Sequence, residues 1–204
     1  MISLFDKNYK LSEHKHSINI TYPRTVNIIF GNYPYPDRIQ NLIIEIKNSL
    51  QKNLDNHSNV QGGMTDWKHF IEHPLFKNFI NEIINKHQTT HSELFEYFYE
   101  KHDILDAWGN EMKAGDSLIY HLHPCLHGIL YLTEGCDLIL PELNLKLTPA
   151  PGDYYILPPS IEHGFGRIPD GANPRYNLIF NVLANKGPFN YQQKIKAIND
   201  RKNR

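Results

Sequence analysis

Between Leu118 and Leu132 the chain reads Leu-Ile-Tyr-His-Leu-His-Pro-Cys-Leu-His-Gly-Ile-Leu-Tyr-Leu, and its histidines carry the strongest chemical signal in the sequence. Residues i and i+2 of a strand point to the same face, so His121 and His123 present both imidazoles to one side of a sheet. Two neutral imidazoles on one face are half of a metal site. A third is expected from a strand laid alongside, and the candidate is His163, at the end of Pro151-Gly-Asp-Tyr-Tyr-Ile-Leu-Pro-Pro-Ser-Ile-Glu-His. There Gly152-Asp153 predicts a turn, Tyr154 to Leu157 a strand, and Pro158-Pro159 a rigid corner that delivers His163 to the head of the next strand. Three protein ligands leave coordination positions open, which marks a catalytic rather than a structural centre.

His127 has two readings. By parity it shares the face of His121 and His123 if the strand runs on, which makes it a fourth ligand. Pro124 should interrupt that strand, which makes it a packed histidine supporting the others. The remaining eight of the 12 histidines, at 14, 16, 57, 69, 73, 87, 91 and 102, read as surface or hydrogen-bonded core residues.

The elements that must position these residues divide the chain in two. Ile39, Leu42, Ile43, Ile46 and Leu50 recur at three- and four-residue steps and predict a helix over 37–54, with Pro36 in its first turn. A second helix is expected after Pro74, with Leu75, Phe76, Phe79, Ile80, Ile83 and Ile84 on one face, and Leu94, Phe95 and Phe98 continue or restart the pattern. Thr25 to Phe30 reads as a strand. From about Leu105 the helical period gives way to short apolar runs punctuated by Gly, Pro and Asn, the spacing of a sandwich or barrel. The expected strands are 118–123, 129–132, 137–140, 145–147, 154–157 and 176–182. One domain over 1–204 is expected: a mainly helical part with a few strands over 1–104, a barrel over 105–185 and a polar tail over 186–204.

Composition narrows the partners. Lys plus Arg is 21 and Asp plus Glu is 22, a net charge of −1, so no basic excess waits for a nucleic acid. No apolar run approaches the roughly 20 residues of a membrane span. Cys125 and Cys136 are too few for a disulfide framework and lack zinc-ribbon spacing, which predicts a reducing, cytoplasmic setting.

Taken in order, several segments resemble one family. They are Ser58-Asn-Val-Gln-Gly62, Trp67 to His73, Pro74-Leu-Phe, Ala107-Trp-Gly-Asn110, Gly115-Asp116, His121-Leu-His-Pro124, Gly128-Ile-Leu-Tyr-Leu132, Pro151-Gly-Asp153, Pro158-Pro-Ser160, His163 and Arg175-Tyr-Asn-Leu-Ile-Phe-Asn181. The chain resembles the 2-oxoglutarate- and Fe(II)-dependent oxygenases of phage and marine bacterial genomes, relatives of the prolyl hydroxylases. The resemblance implies an α+β fold: a double-stranded β-helix (a jelly-roll, cupin-like barrel) with N-terminal helices packed on it. It implies that His121 and His163 bind Fe(II), with His123 standing where most such oxygenases carry Asp or Glu. It further implies that Arg175 pairs with the distal carboxylate of 2-oxoglutarate, that Tyr131 hydrogen-bonds the same carboxylate, and that Asn110 and Asn181 line the pocket. The reaction implied consumes O2, decarboxylates 2-oxoglutarate to succinate and hydroxylates a substrate, a peptidyl proline by analogy or a small molecule. His at 123 leaves three neutral imidazoles and no anion, which weakens the preference for Fe(II). Asp116, Asp153 and Glu111 are alternative carboxylates, none in the right register.

The same segments also fit the cupin pattern, with His121, His123, His127 and His163 as four ligands of a metal enzyme that needs no organic cofactor. A third reading is a metal- or ligand-binding β-barrel without turnover. Substrate and oligomeric state leave no mark on the sequence.

Overall fold

The structure, a computed structural model, describes residues 2–4, 10–14, 17–22, 24–50, 62–87, 104–135, 137–159 and 161–182, with side chains from Val26 onward. The expected Leu94–Phe98 pattern, Ser58 to Gln61, Cys136, Ser160, His16, His57, His91, His102 and the tail over 186–204 lie outside the described residues.

The helix α1 runs over Pro36–Ser49 and buries Ile39, Leu42, Ile43 and Ile46, the predicted stripe. Pro36 begins it, where a missing N–H costs nothing, Asp37 stands in the first turn and Lys47 in the last, as the helix dipole favours. It ends earlier than expected, because Leu50 takes an extended ψ of 128°. The helix α2, Pro74–His87, buries Phe76, Phe79, Ile80, Ile83 and His87.

Thirteen strands accompany them among the described residues: β1 (Ile2–Leu4), β2 (Lys10–His14), β3 (Ser17–Tyr22), β4 (Arg24–Asn32), β5 (Gly63–Met64), β6 (Ile104–Met112), β7 (Leu118–His121), β8 (Leu126–Tyr131), β9 (Leu138–Leu140), β10 (Leu145–Leu147), β11 (Asp153–Leu157), β12 (His163–Phe165) and β13 (Arg175–Val182). A five-stranded sheet has the order β1-β10-β9-β12-β7, and an eight-stranded sheet the order β2-β3-β4-β11-β8-β13-β6-β5, every pairing antiparallel. The region read as mainly helical thus also supplies strands to both sheets. The architecture is the α+β double-stranded β-helix implied by the sequence resemblance.

Strand parity sorts the larger sheet into two faces. Leu126, Leu130, Tyr154, Ile156, Tyr176, Leu178, Phe180 and Val182 pack outward against the two helices. Ile129, Tyr131, Tyr155, Leu157 and Ile179 point inward and meet Leu138, Leu140, Leu145 and Leu147 of the smaller sheet. Both faces of the central strands are therefore covered, which explains why β13 is buried along its whole length. Gly128 makes one contact possible: a Cβ there would lie 2.0 Å from the Phe180 ring, paired across from it on β13. Gly152, at φ +89°, turns the chain tightly between Tyr33 and Tyr131, accepting from Tyr33 N at 2.8 Å and donating to Tyr131 O at 2.7 Å.

Candidate metal centre

The expected strand over 118–123 stops at His121, ahead of Pro124; the chain then crosses to the eight-stranded sheet as β8 from Leu126, three residues ahead of the expected start. His123 consequently lies in the connection and not in a strand, yet it converges with its neighbours. His121 closes β7 and pairs in register with His163, which opens β12 after the Pro158-Pro159 corner. One ligand atom from each of His121, His123 and His163 falls within 4.8 Å of the others, a cluster without a carboxylate among the described residues. The Nε2 atoms of His121 and His123 are 3.0 Å apart.

Backbone carbonyls fix the tautomers. His121 donates Nδ1–H to Ile119 O at 2.8 Å and His163 donates Nδ1–H to Ile161 O at 3.0 Å, which leaves an Nε2 lone pair on each ring. The His163 Nε2 is buried and has no hydrogen-bond partner among the described residues. Burial holds all three imidazoles neutral at pH 7. It pushes His121 below its ordinary value, His163 down to about 4, and His123 to about 3, with help from the adjacent His121 and His163.

His127 is buried on β8 and lies against the cluster without joining it. Its ring stacks on His123 with centroids 4.0 Å apart and planes 8° apart, and on His163 at 4.6 Å. Its Nδ1–H donates to Asn181 Oδ1 at 2.8 Å, and Asn181 Nδ2–H donates in turn to Asp106 Oδ2 at 3.5 Å. Asn181 is thus occupied in orienting His127. The carboxylates weighed from sequence are engaged elsewhere: Glu111 with Tyr176 and Lys113, Asp116 with the Lys113 amide, Asp153 with Asn32 and the Ala150 amide. Cys125 is a buried thiol whose pKa burial raises to about 12, so it stays protonated.

His121, His127 and His163 share one cavity with Tyr131, Arg175, Asn110, Asn177 and Trp108. Arg175 opens β13 and is only 2 % exposed. Its guanidinium carbon lies 4.9 Å from the Tyr131 ring centre and 4.5 Å from that of Phe165, and its Nε and Nη1 have no hydrogen-bond partner among the described residues. Asn110 Oδ1, Asn177 Oδ1 and Trp108 Nε1 are likewise buried and unpartnered there. Buried polar atoms are almost always hydrogen-bonded, so a cavity lined with so many unpaired ones has the character of a binding site for a polar group, and the cation specifies an anion. Asn177 was not singled out from sequence. The signal was available: Arg175, Asn177 and Asn181 are the inward-facing polar residues of an otherwise apolar strand. A larger groove beside Tyr33, Tyr35 and Pro174 contains no histidine.

No family model and no curated protein matches the chain. Solved structures do. A viral collagen prolyl hydroxylase from Paramecium Bursaria Chlorella virus-1, in its 2-oxoglutarate complex, aligns with a TM-score of 0.57 at 14% identity over 76% of this chain and 94% of that one. A Pseudomonas putida prolyl-4-hydroxylase gives 0.57 at 13% identity, over 78% and 93%. HygX from Streptomyces hygroscopicus, with nickel and 2-oxoglutarate bound, gives 0.55 at 10% identity, over 75% and 81%. The fold is therefore the one these two prolyl hydroxylases and HygX share, as the resemblance implies.

Proposed function

We propose that the protein is a 2-oxoglutarate- and Fe(II)-dependent oxygenase that hydroxylates its substrate while 2-oxoglutarate is decarboxylated to succinate. The observation that carries this reading is a buried arginine, two of whose nitrogens have no partner among the described residues, in the same cavity as His121 and His163 of the neutral histidine cluster.

The donor set fits a divalent metal. Metal–nitrogen bonds of roughly 2.1 Å place cis ligand nitrogens roughly 3.0 Å apart in an octahedron and roughly 3.4 Å apart in a tetrahedron. His121 and His123 already stand at 3.0 Å. His121, His123 and His163 would hold the ion, and His127, fixed through Asn181, packs against two of them. When bound, the metal with 2-oxoglutarate activates O2 and supplies the oxidising power for hydroxylation.

The rest is the work of the chain. Arg175 presents two free N–H groups to the distal carboxylate of 2-oxoglutarate in a site from which water is largely excluded, where a charge-assisted bond is strong. Tyr131, beneath the guanidinium, holds it in place and reaches the same carboxylate; Asn110 and Asn177 offer amide groups to the remainder of the ligand. Supplying no anion to the metal, the protein leaves the co-substrate's carboxylate to balance the ion's charge. HygX carries 2-oxoglutarate and nickel on this fold, and two of the compared structures are prolyl hydroxylases. The substrate is a peptidyl proline by that analogy, or a small molecule. In the cupin reading His127 would be a fourth ligand, whereas the cluster whose ligand atoms lie within 4.8 Å of one another holds His121, His123 and His163 without it, and Arg175 would have no role. Succinate release that requires both Fe(II) and 2-oxoglutarate, and is lost in His121→Ala and Arg175→Ala, is the expected result. Turnover of substrate with metal alone would overturn the proposal.

A further inference from the structure

We infer that Trp108 is a positioning residue whose indole N–H holds the carboxylate of 2-oxoglutarate at the metal end of the cavity. The inference rests on the oxygenase reading and adds a residue to it. Trp108 is 4 % exposed, and its Nε1–H is buried with no partner among the described residues. A buried indole ordinarily finds a hydrogen-bond partner, and because it only donates, the missing partner is an acceptor.

Strand register tells which part of the ligand supplies that acceptor. Across β6, β13 and β8 the paired residues that face the cavity form three rows: Asn110–Asn177–Tyr131, then Trp108–Ile179–Ile129, then Asp106–Asn181–His127. Successive rows on one face lie roughly 7 Å apart. The Arg175 guanidinium carbon, 4.9 Å from the Tyr131 ring centre, marks the first row, and His127, stacked on His123 and His163, marks the third. A molecule that joins the arginine to the metal therefore lies along the middle row. There Ile129 and Ile179 suit its two methylenes, and Trp108 alone of the three carries a side-chain donor. Its ring centre is 6.4 Å from that of His127, although β13 stands between their strands, a gap of roughly 10 Å, so the indole inclines toward the metal end.

The metal end needs that donor. The histidine cluster holds no carboxylate among the described residues, so the ligand's own carboxylate is the anion there, and the oxygen it does not give to the metal keeps lone pairs in a buried site. The neighbouring imidazole donors are spent, His121 on Ile119 O, His163 on Ile161 O and His127 on Asn181 Oδ1. Trp67 fixes the indole: its ring packs on Trp108 with centres 4.6 Å apart, and its carbonyl accepts from the Ala107 N–H at 2.8 Å.

The chain has two tryptophans, Trp67 and Trp108, so labelling tryptophan at the indole nitrogen gives two N–H resonances, which Trp67→Phe assigns. In the Zn(II)-loaded full chain, 2-oxoglutarate is expected to move the Trp108 resonance downfield and to slow its exchange with water. Levulinate, the same keto acid with a methyl group in place of the metal-end carboxylate, is expected to leave the resonance where it was at concentrations that displace 2-oxoglutarate. By calorimetry Trp108→Phe is expected to bind 2-oxoglutarate roughly 10- to 100-fold more weakly, with Zn(II) affinity that of the wild type. The inference is overturned if bound 2-oxoglutarate leaves the Trp108 resonance unmoved, or if Trp108→Phe binds 2-oxoglutarate as the wild type does. It is also overturned if levulinate moves the resonance as far as 2-oxoglutarate, which assigns the N–H to the other end of the ligand. A Zn(II)-loaded wild type that binds no 2-oxoglutarate sinks the oxygenase reading, a result distinct from binding without the shift.

Discussion

Replacing Arg175 with methionine should make the ligand-free protein more stable and the ligand-bound protein impossible to form. Arg175 is buried, and two of its charged donors have no partner among the described residues. An unmet buried donor costs about 1–3 kcal/mol, more when charged, while the Tyr131 and Phe165 faces return about 0.5–2 kcal/mol of cation–π attraction each. The balance leaves the arginine a net burden of about 1–3 kcal/mol in the absence of an anion. Methionine fills similar space without charge, and such replacements of buried charge are often stabilising. Urea denaturation of the Ni(II)-loaded proteins without oxygen checks both halves. Without 2-oxoglutarate the variant's unfolding midpoint should be the higher. At 2-oxoglutarate concentrations about 100 times its Kd, the wild type should gain about 2.7 kcal/mol and Arg175→Met nothing. Two outcomes would refute the reasoning: a variant less stable than the wild type without ligand, or one stabilised equally by 2-oxoglutarate.

Other consequences are as direct. Asn181→Ala strips His127 of its acceptor, so metal affinity measured by calorimetry should fall about 10- to 100-fold and stability by about 1–3 kcal/mol; unchanged affinity would mean that His127 does not position the ligands. Acid should weaken the metal-free protein early. His163, near 4 in the folded state, and His123, near 3, are neutral there at pH 5 while the unfolded chain, near 6.5, binds protons, so stability is complete above about pH 6.5 and lost as pH falls toward 4. The slope is about 1.4 kcal/mol per pH unit per histidine, checked by denaturation at pH 7, 6 and 5, and a flat profile would contradict it. Gly128→Ala drives a methyl into the Phe180 ring and should cost about 1–3 kcal/mol by thermal unfolding, with metal binding retained.

Much of the centre is legible in the sequence because two local rules write it there. The Pro158-Pro159 corner delivers His163 opposite His121, and the 3.6-residue period of Ile39, Leu42, Ile43 and Ile46 gives α1. Other parts depend on what lies alongside. The sequence does not announce β6: Trp108, Gly109 and Asn110 break its apolar pattern, yet β13 pairs with it along almost its full length and Gly109 leaves room for Ile46 of α1. His127 kept two readings because its role depends on Asn181, 54 residues away in sequence and opposite it across the β8–β13 pair. Asn177 carries no local signal, because an asparagine in a strand gains meaning only when the parity of its neighbours shows that it faces the cavity.

Titration of 2-oxoglutarate into the Ni(II)-loaded protein without oxygen, followed by calorimetry, tests the central claim most directly. One equivalent should bind, with binding abolished in Arg175→Met and absent when the metal is removed. A metal-loaded wild type that binds no 2-oxoglutarate would contradict the account and leave a histidine metal centre whose chemistry does not involve that co-substrate.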